Sequence, residues 1–145
     1  MNNPLRTVED YELFLYTVKD HFPLIQRSTL AMIRRGTSLA RVSGELQFRS
    51  GIRLVIRERI LYDRLPARID EYGYEVWQGI DKLFWYDSQP HPDDPNLQST
   101  YPHHKHIQPN IKHNRIPAPK MSFSSPNLPE LIKEVEGLIE KMSKG

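Results

Sequence analysis

Hydrophobic and polar residues change their spacing several times along the chain, and each change predicts a different element. From Thr7 to Phe22 apolar residues recur at helical spacing, behind a capping hydroxyl and acidic residues in the first turn. Pro23 ends this predicted helix, 7–22. From residue 25 to residue 87 the spacing becomes two, which is typical of strands that bury one face.

About five strands are expected in this stretch, because four short turn-like sequences divide it. The apolar positions of the five strands are Leu30 and Met32; Val42, Leu46 and Phe48; Ile52, Leu54, Ile56, Ile60 and Tyr62; Tyr72, Tyr74 and Val76; and Phe84 and Tyr86. Their breaks fall at 35–37, 50–51, 65–67 and 78–79, and connections this short favour an antiparallel meander.

Nine of the twelve prolines lie between residues 90 and 129, which excludes regular helix and central strand there. We therefore predict a Pro/His-rich functional loop over 88–126. An amphipathic helix follows at 127–143, with Asn127 as its cap and Glu130 three residues later. The fold class is α+β, in one domain of 145 residues, with both helices on one face of the sheet.

Composition narrows the class of protein. The chain is 38% hydrophobic and 26% charged and has no apolar run near the ~20 residues that cross a bilayer, so we expect neither a membrane protein nor a disordered one. It has no cysteine, which excludes disulfides and thiolate chemistry, and its first residues do not resemble a signal peptide. A cytoplasmic location is expected.

The net charge of +2 conceals segregated blocks of charge. Residues 26–68 hold ten arginines and three acids, residues 69–100 hold one lysine and seven acids, and residues 101–120 hold four basic residues and no acid. Arginine pairs with phosphate through two hydrogen bonds, so the two basic blocks indicate an anionic partner. A solvated sheet face decorated with arginine is the alternative.

Five of the six histidines lie between residues 91 and 113. Imidazole both gives and takes a proton near neutral pH, so this cluster is a candidate for catalysis or for metal binding. If residues 101–106 are extended, His104 and His106 project to one side while His103 and Lys105 project to the other. Histidines that only order the loop are the structural alternative. His91, with Asp93 and Asp94 nearby, supplies further ligand types, but the spacing is not diagnostic of a metal and Lys105 would repel a cation.

The predicted strands add carboxylates, arginines and aromatic residues to the candidates. Glu58 falls in phase with the apolar residues of its strand, so it is either paired with an arginine of a neighbouring strand or poised as a general base. Arg53, Arg57 and Arg59 share the opposite face, where phosphate contact is expected. Asp87 ends the last strand before the histidines and could orient an imidazole. Trp77, Trp85 and Tyr86 could stack on bases or pack across strands.

Several of these residues also carry a resemblance to a known family. Trp85-Tyr86-Asp87, then Pro90-His91-Pro92, then Thr100-Tyr-Pro-His-His-Lys-His106 and Asn127-Leu-Pro129 resemble the TumE-like (DUF6516) toxins of prokaryotic toxin–antitoxin pairs. The resemblance runs from about residue 22 to residue 132. It implies a growth-inhibiting toxin neutralised by a cognate protein antitoxin.

The residues and the resemblance together predict a toxin that cleaves RNA without a metal or other cofactor. Cleavage by the ribose 2′-hydroxyl needs a base, an acid for the leaving oxygen and cations at the phosphate. The candidates for proton transfer and its support are His91, His103, His104, Lys105, His106, Asp87 and Glu58; those for nucleic-acid binding are Arg53, Arg57, Arg59, Lys112 and Arg115. A non-catalytic binding module and a metal-dependent phosphodiesterase stay open, as do a homodimer and a toxin–antitoxin hetero-oligomer.

Overall fold

The N-terminal helix is shorter than predicted. The computed structural model describes residues 3–144, and a 3-10 turn at Pro4–Arg6 leads into α1 (Val8–Tyr16) and then α2 (Val18–His21). The Thr7 hydroxyl caps α1 as predicted, because it accepts a hydrogen bond from the Asp10 amide at 3.0 Å. The predicted continuous helix over 7–22 is wrong at Thr17, where the side-chain hydroxyl donates to the Leu13 carbonyl at 2.7 Å and the backbone leaves helical angles.

Eight antiparallel strands form one sheet. They are β1 (Arg27–Ser28), β2 (Ala31–Arg35), β3 (Leu39–Gln47), β4 (Ile52–Leu61), β5 (Arg68–Gln78), β6 (Asp81–Asp87), β7 (His104–His106) and β8 (Arg115–Pro117). Strands β3 to β8 follow one another across the sheet in chain order, while β1 and β2 both pair with β3 at one edge.

The five predicted strands correspond to β2–β6, and the predicted count is too low by three. Strand β1 has two residues, and β7 and β8 have three each, so none is long enough to show a period of two. The last two strands also lie inside the predicted Pro/His-rich loop. Proline is compatible with β8 because Pro117 ends the strand at the edge of the sheet.

Both helices cover the same face of the sheet, as predicted. Alternate residues of β4 are buried on that face, and Tyr11 of α1 and Leu131 of α3 join the same hydrophobic core. We call the opposite side of the sheet the open face. Residues paired directly across antiparallel strands share a face, so one row of the open face crosses β3 to β7. Its members are Ser43, Arg57, Gly73, Asp87 and His104.

The segment between β6 and α3 (Leu128–Lys144) contributes strands β7 and β8 to the sheet, and hydrogen bonds hold further parts of it in place. A 3-10 turn at Pro95–Thr100 precedes β7, and the Thr100 hydroxyl donates to the His103 carbonyl and accepts from the Ala118 amide. Asn127 sits before α3, where its side chain bonds to the backbone of Ser122 and to the Tyr74 hydroxyl. Asn127 therefore anchors the entry to α3 on strand β5.

Candidate active site on the open face

Two histidines and one aspartate meet where β6 pairs with β7. The register places His104 opposite Asp87 and His106 opposite Trp85, so all four side chains share the open face. His104 Nε2 lies 2.9 Å from one carboxylate oxygen of Asp87, and His106 Nε2 lies 3.3 Å from the other. The two Nε2 atoms are 3.2 Å apart. Two imidazole nitrogens and both oxygens of one carboxylate therefore converge, and we call Asp87, His104 and His106 the Asp87 centre.

Backbone carbonyls determine which ring nitrogen of each histidine carries a proton. His104 Nδ1 lies 3.0 Å from the Pro102 carbonyl, and His106 Nδ1 lies 2.9 Å from the Ile111 carbonyl. Because a carbonyl only accepts, both Nδ1 atoms are the donors. The Nε2 atoms of both rings are consequently directed towards Asp87.

Asp87 is held as a carboxylate by its surroundings. Burial raises its pKa, but hydrogen bonds from His104, His106, the Trp85 indole and the Gln89 amide outweigh burial and hold the pKa of Asp87 well below its usual value. Burial lowers the pKa of His104, while its hydrogen bond to Asp87 outweighs that effect and raises the pKa above the ordinary value. Asp87 thus contacts two imidazoles, where the sequence led us to expect that it orients one.

His91 and Arg115 form a second layer beside this centre. Arg115 Nη1 donates to His91 Nδ1 at 2.7 Å, and the His91 ring meets the His104 ring edge to face at a centroid distance of 4.9 Å. Burial and then the charge of Arg115 lower the pKa of His91. His91 is therefore a neutral imidazole whose Nε2–H is free to donate to a bound anion. The Trp85 ring stacks on the other histidine, His106, at 3.7 Å.

A cleft of about 900 Å³ opens on the same side of the sheet, and Asp87 lies in its wall together with Arg57, Arg59 and Arg41. The Arg57 guanidinium crosses over Gly73, the residue paired with Asp87, and a Cβ at residue 73 would overlap it. Only glycine leaves room for this approach. The cleft therefore places the Asp87 carboxylate, which contacts the two buried imidazoles, beside arginines suited to phosphate.

The remaining proton-transfer candidates lie on the helix-covered side of the sheet. Lys105 Nζ forms an ion pair with Glu134 of α3 at 2.7 Å, and His103 Nδ1 is hydrogen bonded to the Tyr72 hydroxyl at 2.6 Å. The alternation of His104 and His106 against His103 and Lys105 is confirmed. This alternation separates Lys105 and His103 from the Asp87 centre, although the sequence had grouped all of these residues as candidates for proton transfer and its support.

Glu58 is fully buried and accepts hydrogen bonds from the Tyr11 and Tyr74 hydroxyls, each at 2.5 Å. The ion pair expected between Glu58 and an arginine of a neighbouring strand is wrong, because Glu58 points under α1 and its partners there are two tyrosine hydroxyls. The arginines of its own strand, β4, point to the open face. Burial raises the pKa of Glu58, against the opposing effect of the two hydroxyls. Its side chain therefore lies on the helix-covered face, whereas Asp87 lies on the open face.

The five basic residues predicted to contact nucleic acid have different neighbours in the structure. Arg53 lies over the Trp77 ring at 5.2 Å, and Arg59 is paired with Asp70. Lys112 is exposed in the turn between β7 and β8. Among residues 3–144, no carboxylate lies within ion-pair distance of Arg57 or Arg115. These two arginines are therefore the most available cations beside the centre.

Sequence reasoning missed Gly73 and the carbonyls of Pro102 and Ile111. A carbonyl carries no sequence signal, since every residue has one, and its position depends on the folded chain. Gly73 had a detectable signal, because an isolated glycine inside a strand pattern indicates a close approach of another group.

Comparison with known proteins identifies the family to which this chain belongs. A family model described as Toxin TumE matches residues 14–139, which is most of the chain. The chain belongs to the TumE toxin family. Searches of curated proteins and of solved structures give no match. Within the part of the chain that the structure describes, no helix has the length and apolar character needed to cross a membrane.

Membership of the TumE family confirms the resemblance seen in the sequence and supports a role as a toxin. All residues of the Asp87 centre fall inside the matched range, as do Arg57, Gly73, His91 and Arg115.

Proposed function

We propose that this TumE-family toxin is an endoribonuclease whose reactive centre consists of Asp87, His104 and His106. One observation carries the proposal: two imidazole Nε2 atoms and a carboxylate converge within 3.3 Å beside a cleft lined by Arg57, which has no carboxylate partner among the described residues. Buried ionisable groups that converge in a cleft are typical of catalytic sites. The target RNA and a neutralising antitoxin would both be met in the cytoplasm.

RNA suits this centre because its ribose carries its own nucleophile. In the proposed step the 2′-oxygen attacks phosphorus, the bond from phosphorus to the 5′-oxygen breaks, and a 2′,3′-cyclic phosphate and a 5′-hydroxyl form. One proton leaves the 2′-hydroxyl and one proton is delivered to the 5′-oxygen, so no redox partner is needed. The centre can move these protons through an imidazolium Nε2–H or through a water on a bound cation.

The cations around the centre fit the charge of the pentacoordinate phosphorane. Arg57 and Arg115 lie on the open face without carboxylate partners, and the His91 Nε2–H adds a neutral donor. Donors aimed at developing negative charge are usually the largest contribution to such catalysis. We therefore assign Arg57, Arg115 and His91 to the scissile phosphate, and Arg53, Arg59 and Lys112 to flanking phosphates.

The test compares induced expression of the wild-type chain with Asp87→Asn and His106→Gln, each without an antitoxin. The wild type should arrest growth and shorten cellular RNA, whereas both variants should be tolerated, because removing one member of an acid–base centre typically lowers turnover by about 10²-fold to 10⁴-fold. His113→Ala is the matched control, since His113 is an exposed histidine of the same segment.

Circular dichroism must show that both variants remain folded. If they still arrest growth as strongly as the wild type while cellular RNA stays intact, the toxin acts by binding rather than by cleavage. That result would refute the endoribonuclease proposal.

A further inference from the structure

We propose that Asp87, His104 and His106 bind one divalent transition-metal ion, of which Zn²⁺ is the probe of choice, and that the ion takes part in RNA cleavage. The binding site stands on its own geometry. Its part in cleavage rests on the proposed function.

The hydrogen bonds of the two rings lead to this inference. Both Nδ1 atoms donate to backbone carbonyls, so a neutral ring directs its Nε2 lone pair at a carboxylate that also only accepts, and only a ring with a second proton can donate to Asp87. Three acceptor atoms this close need a positive charge among them. A proton can lie between only two of these atoms at once, whereas a metal ion contacts all three.

The separations of the three atoms match a metal site. For ligand distances of about 2.0–2.1 Å in a tetrahedral zinc site, neighbouring ligand atoms lie roughly 3.3–3.4 Å apart. The corresponding separations here are 3.2 Å between the Nε2 atoms, 2.9 Å from His104 Nε2 to one carboxylate oxygen of Asp87, and 3.3 Å from His106 Nε2 to the other. One ligand atom from each of the three residues lies within 4.8 Å of the other two. An ion could enter this arrangement with ligand movements of a few tenths of an ångström.

The second layer has the form found around metal-binding histidines. Ligand histidines commonly donate their other ring nitrogen to a carbonyl or carboxylate, which fixes the tautomer and the ring orientation. The Pro102 and Ile111 carbonyls do this for both rings, and the Trp85 indole donates to Asp87 at 2.8 Å. All three ligands are thus held in place by neighbours.

The charge around the site also favours a cation more than the sequence indicated. Lys105 was expected to repel a metal, but its ammonium is on the other side of the sheet, paired with Glu134. Arg57 and Arg115 are the nearby cations, and Arg115 Nη1 is bonded to His91 rather than turned to Asp87. Two neutral imidazoles and one carboxylate suit Zn²⁺, Mn²⁺, Fe²⁺ or Co²⁺ better than Mg²⁺ or Ca²⁺.

Three protein ligands leave a coordination position for water or a phosphate oxygen, which is the pattern of a catalytic metal site. His104 and His106 are buried and Asp87 lines the cleft together with Arg57, so the cleft is the side from which a phosphate of the RNA would reach the ion. With the ion bound, His104 and His106 would act as ligands, and the ion would supply a hydroxide that takes the proton of the 2′-hydroxyl and, as water, returns one to the 5′-oxygen, so that the protons balance.

The test uses the full chain, purified without an affinity tag and stripped with EDTA. Titration calorimetry with Zn²⁺ and visible absorption with Co²⁺ should show one equivalent bound at micromolar affinity or tighter. Asp87→Asn keeps the side-chain volume and an acceptor for Trp85, and should weaken binding by more than about 100-fold, as should His104→Gln. His113→Ala should bind like the wild type. Absent binding, or binding that Asp87→Asn and His104→Gln leave unchanged in folded protein, would overturn the proposal.

RNA cleavage by the same samples separates this proposal from the proposed function. If the stripped chain cleaves RNA and added Zn²⁺ or Mn²⁺ changes nothing, the ion has no part in cleavage, and the metal proposal fails while the endoribonuclease stands. If one ion binds but no RNA is cut under any condition, the metal site stands and the endoribonuclease fails. Cleavage that is lost in EDTA and restored by the ion supports both.

Discussion

At the scale of single residues, the two carboxylates that the sequence singled out have opposite surroundings. Asp87 receives hydrogen bonds from two imidazoles, an indole and an amide, so its charged form is stabilised. Glu58 receives only two tyrosine hydroxyls in a fully buried position, and desolvation dominates. Asp87 is therefore suited to chemistry, and Glu58 contributes a pH-dependent effect on stability.

We expect the free energy of unfolding to depend on the ionisation of Glu58. Its pKa is raised in the folded chain, so its contribution is fully present below the unfolded value of about 4.3 and is lost as pH rises through the folded pKa. Each unit of that rise corresponds to about 1.4 kcal/mol. Glu58→Gln should remove this dependence, so the variant should gain stability relative to the wild type between pH 5 and pH 8.5.

Urea unfolding of both proteins at the two pH values measures the difference directly. Because the other ionisable groups are shared, the comparison isolates residue 58. A stability difference that moves the other way, with the wild type gaining on Glu58→Gln as pH rises, would show that the two tyrosines stabilise the carboxylate more than burial penalises it.

At the scale of elements, α3 contacts both strands, β6 and β7, that carry the residues of the Asp87 centre. Glu134 of α3 accepts hydrogen bonds from the Tyr86 hydroxyl of β6 and from Lys105 of β7, each at 2.7 Å. Strand β7 has only three residues, so its backbone pairing alone fixes it weakly. The ion pair between Lys105 and Glu134 on the helix-covered side therefore helps to fix β7, and with it His104 and His106 on the opposite face of the same strand.

Glu134→Ala should reduce both stability and activity, although residue 134 lies on the face opposite the cleft. Loss of two partly buried hydrogen bonds should cost about 1–3 kcal/mol, measured by urea unfolding. The affinity for Zn²⁺ should also fall, because β7 is less well ordered. Glu130→Ala is the matched control, since Glu130 is also on α3 but its contact with Lys120 is long and exposed. Equal Zn²⁺ affinity in the two variants would show that β7 does not depend on α3.

At the scale of the whole molecule, arginines from the two basic blocks of the sequence meet on one face of the sheet. Arg53, Arg57 and Arg59 of β4 lie on the open face with Arg115 of β8, and the acidic residues Asp70 and Glu75 neutralise part of that face. The available positive charge is therefore concentrated beside the Asp87 centre.

Salt dependence of RNA binding should distinguish the free arginines from the paired one. Each lost phosphate contact lowers the slope by about 0.7 for single strands, so Arg57→Gln and Arg115→Gln should each do so. Arg59→Gln should have a smaller effect because Asp70 already neutralises Arg59. Gly73→Ala should resemble Arg57→Gln, since the added methyl displaces the guanidinium while the fold is retained.

Filter binding from low to moderate salt provides the slopes. Equal slopes for Arg57→Gln and Arg59→Gln would indicate that total charge, and not a phosphate site beside Asp87, determines binding. An unaltered slope in every arginine variant would exclude the open face as the RNA surface.

The sequence by itself determined the kinds of elements and several site residues. Periodicity identified α1, β2–β6 and α3, since buried faces impose it locally. The histidine-rich segment, the position of Asp87 next to an imidazole and the opposite directions of His104 and Lys105 were predictable, because they depend on residue type and on the alternation of side chains along an extended chain. Membership of the toxin family was also readable from the motifs around these residues.

Tertiary structure decided what these residues face. Strands β7 and β8 exist because β6 offers an unpaired edge, which no local pattern records. The tautomers of His104 and His106 depend on carbonyls that the chain brings near, and the partners of Glu58 come from 47 residues earlier and 16 residues later. A metal site, unlike a histidine cluster, requires atoms to converge within a few ångströms, and only the paired strands bring them together.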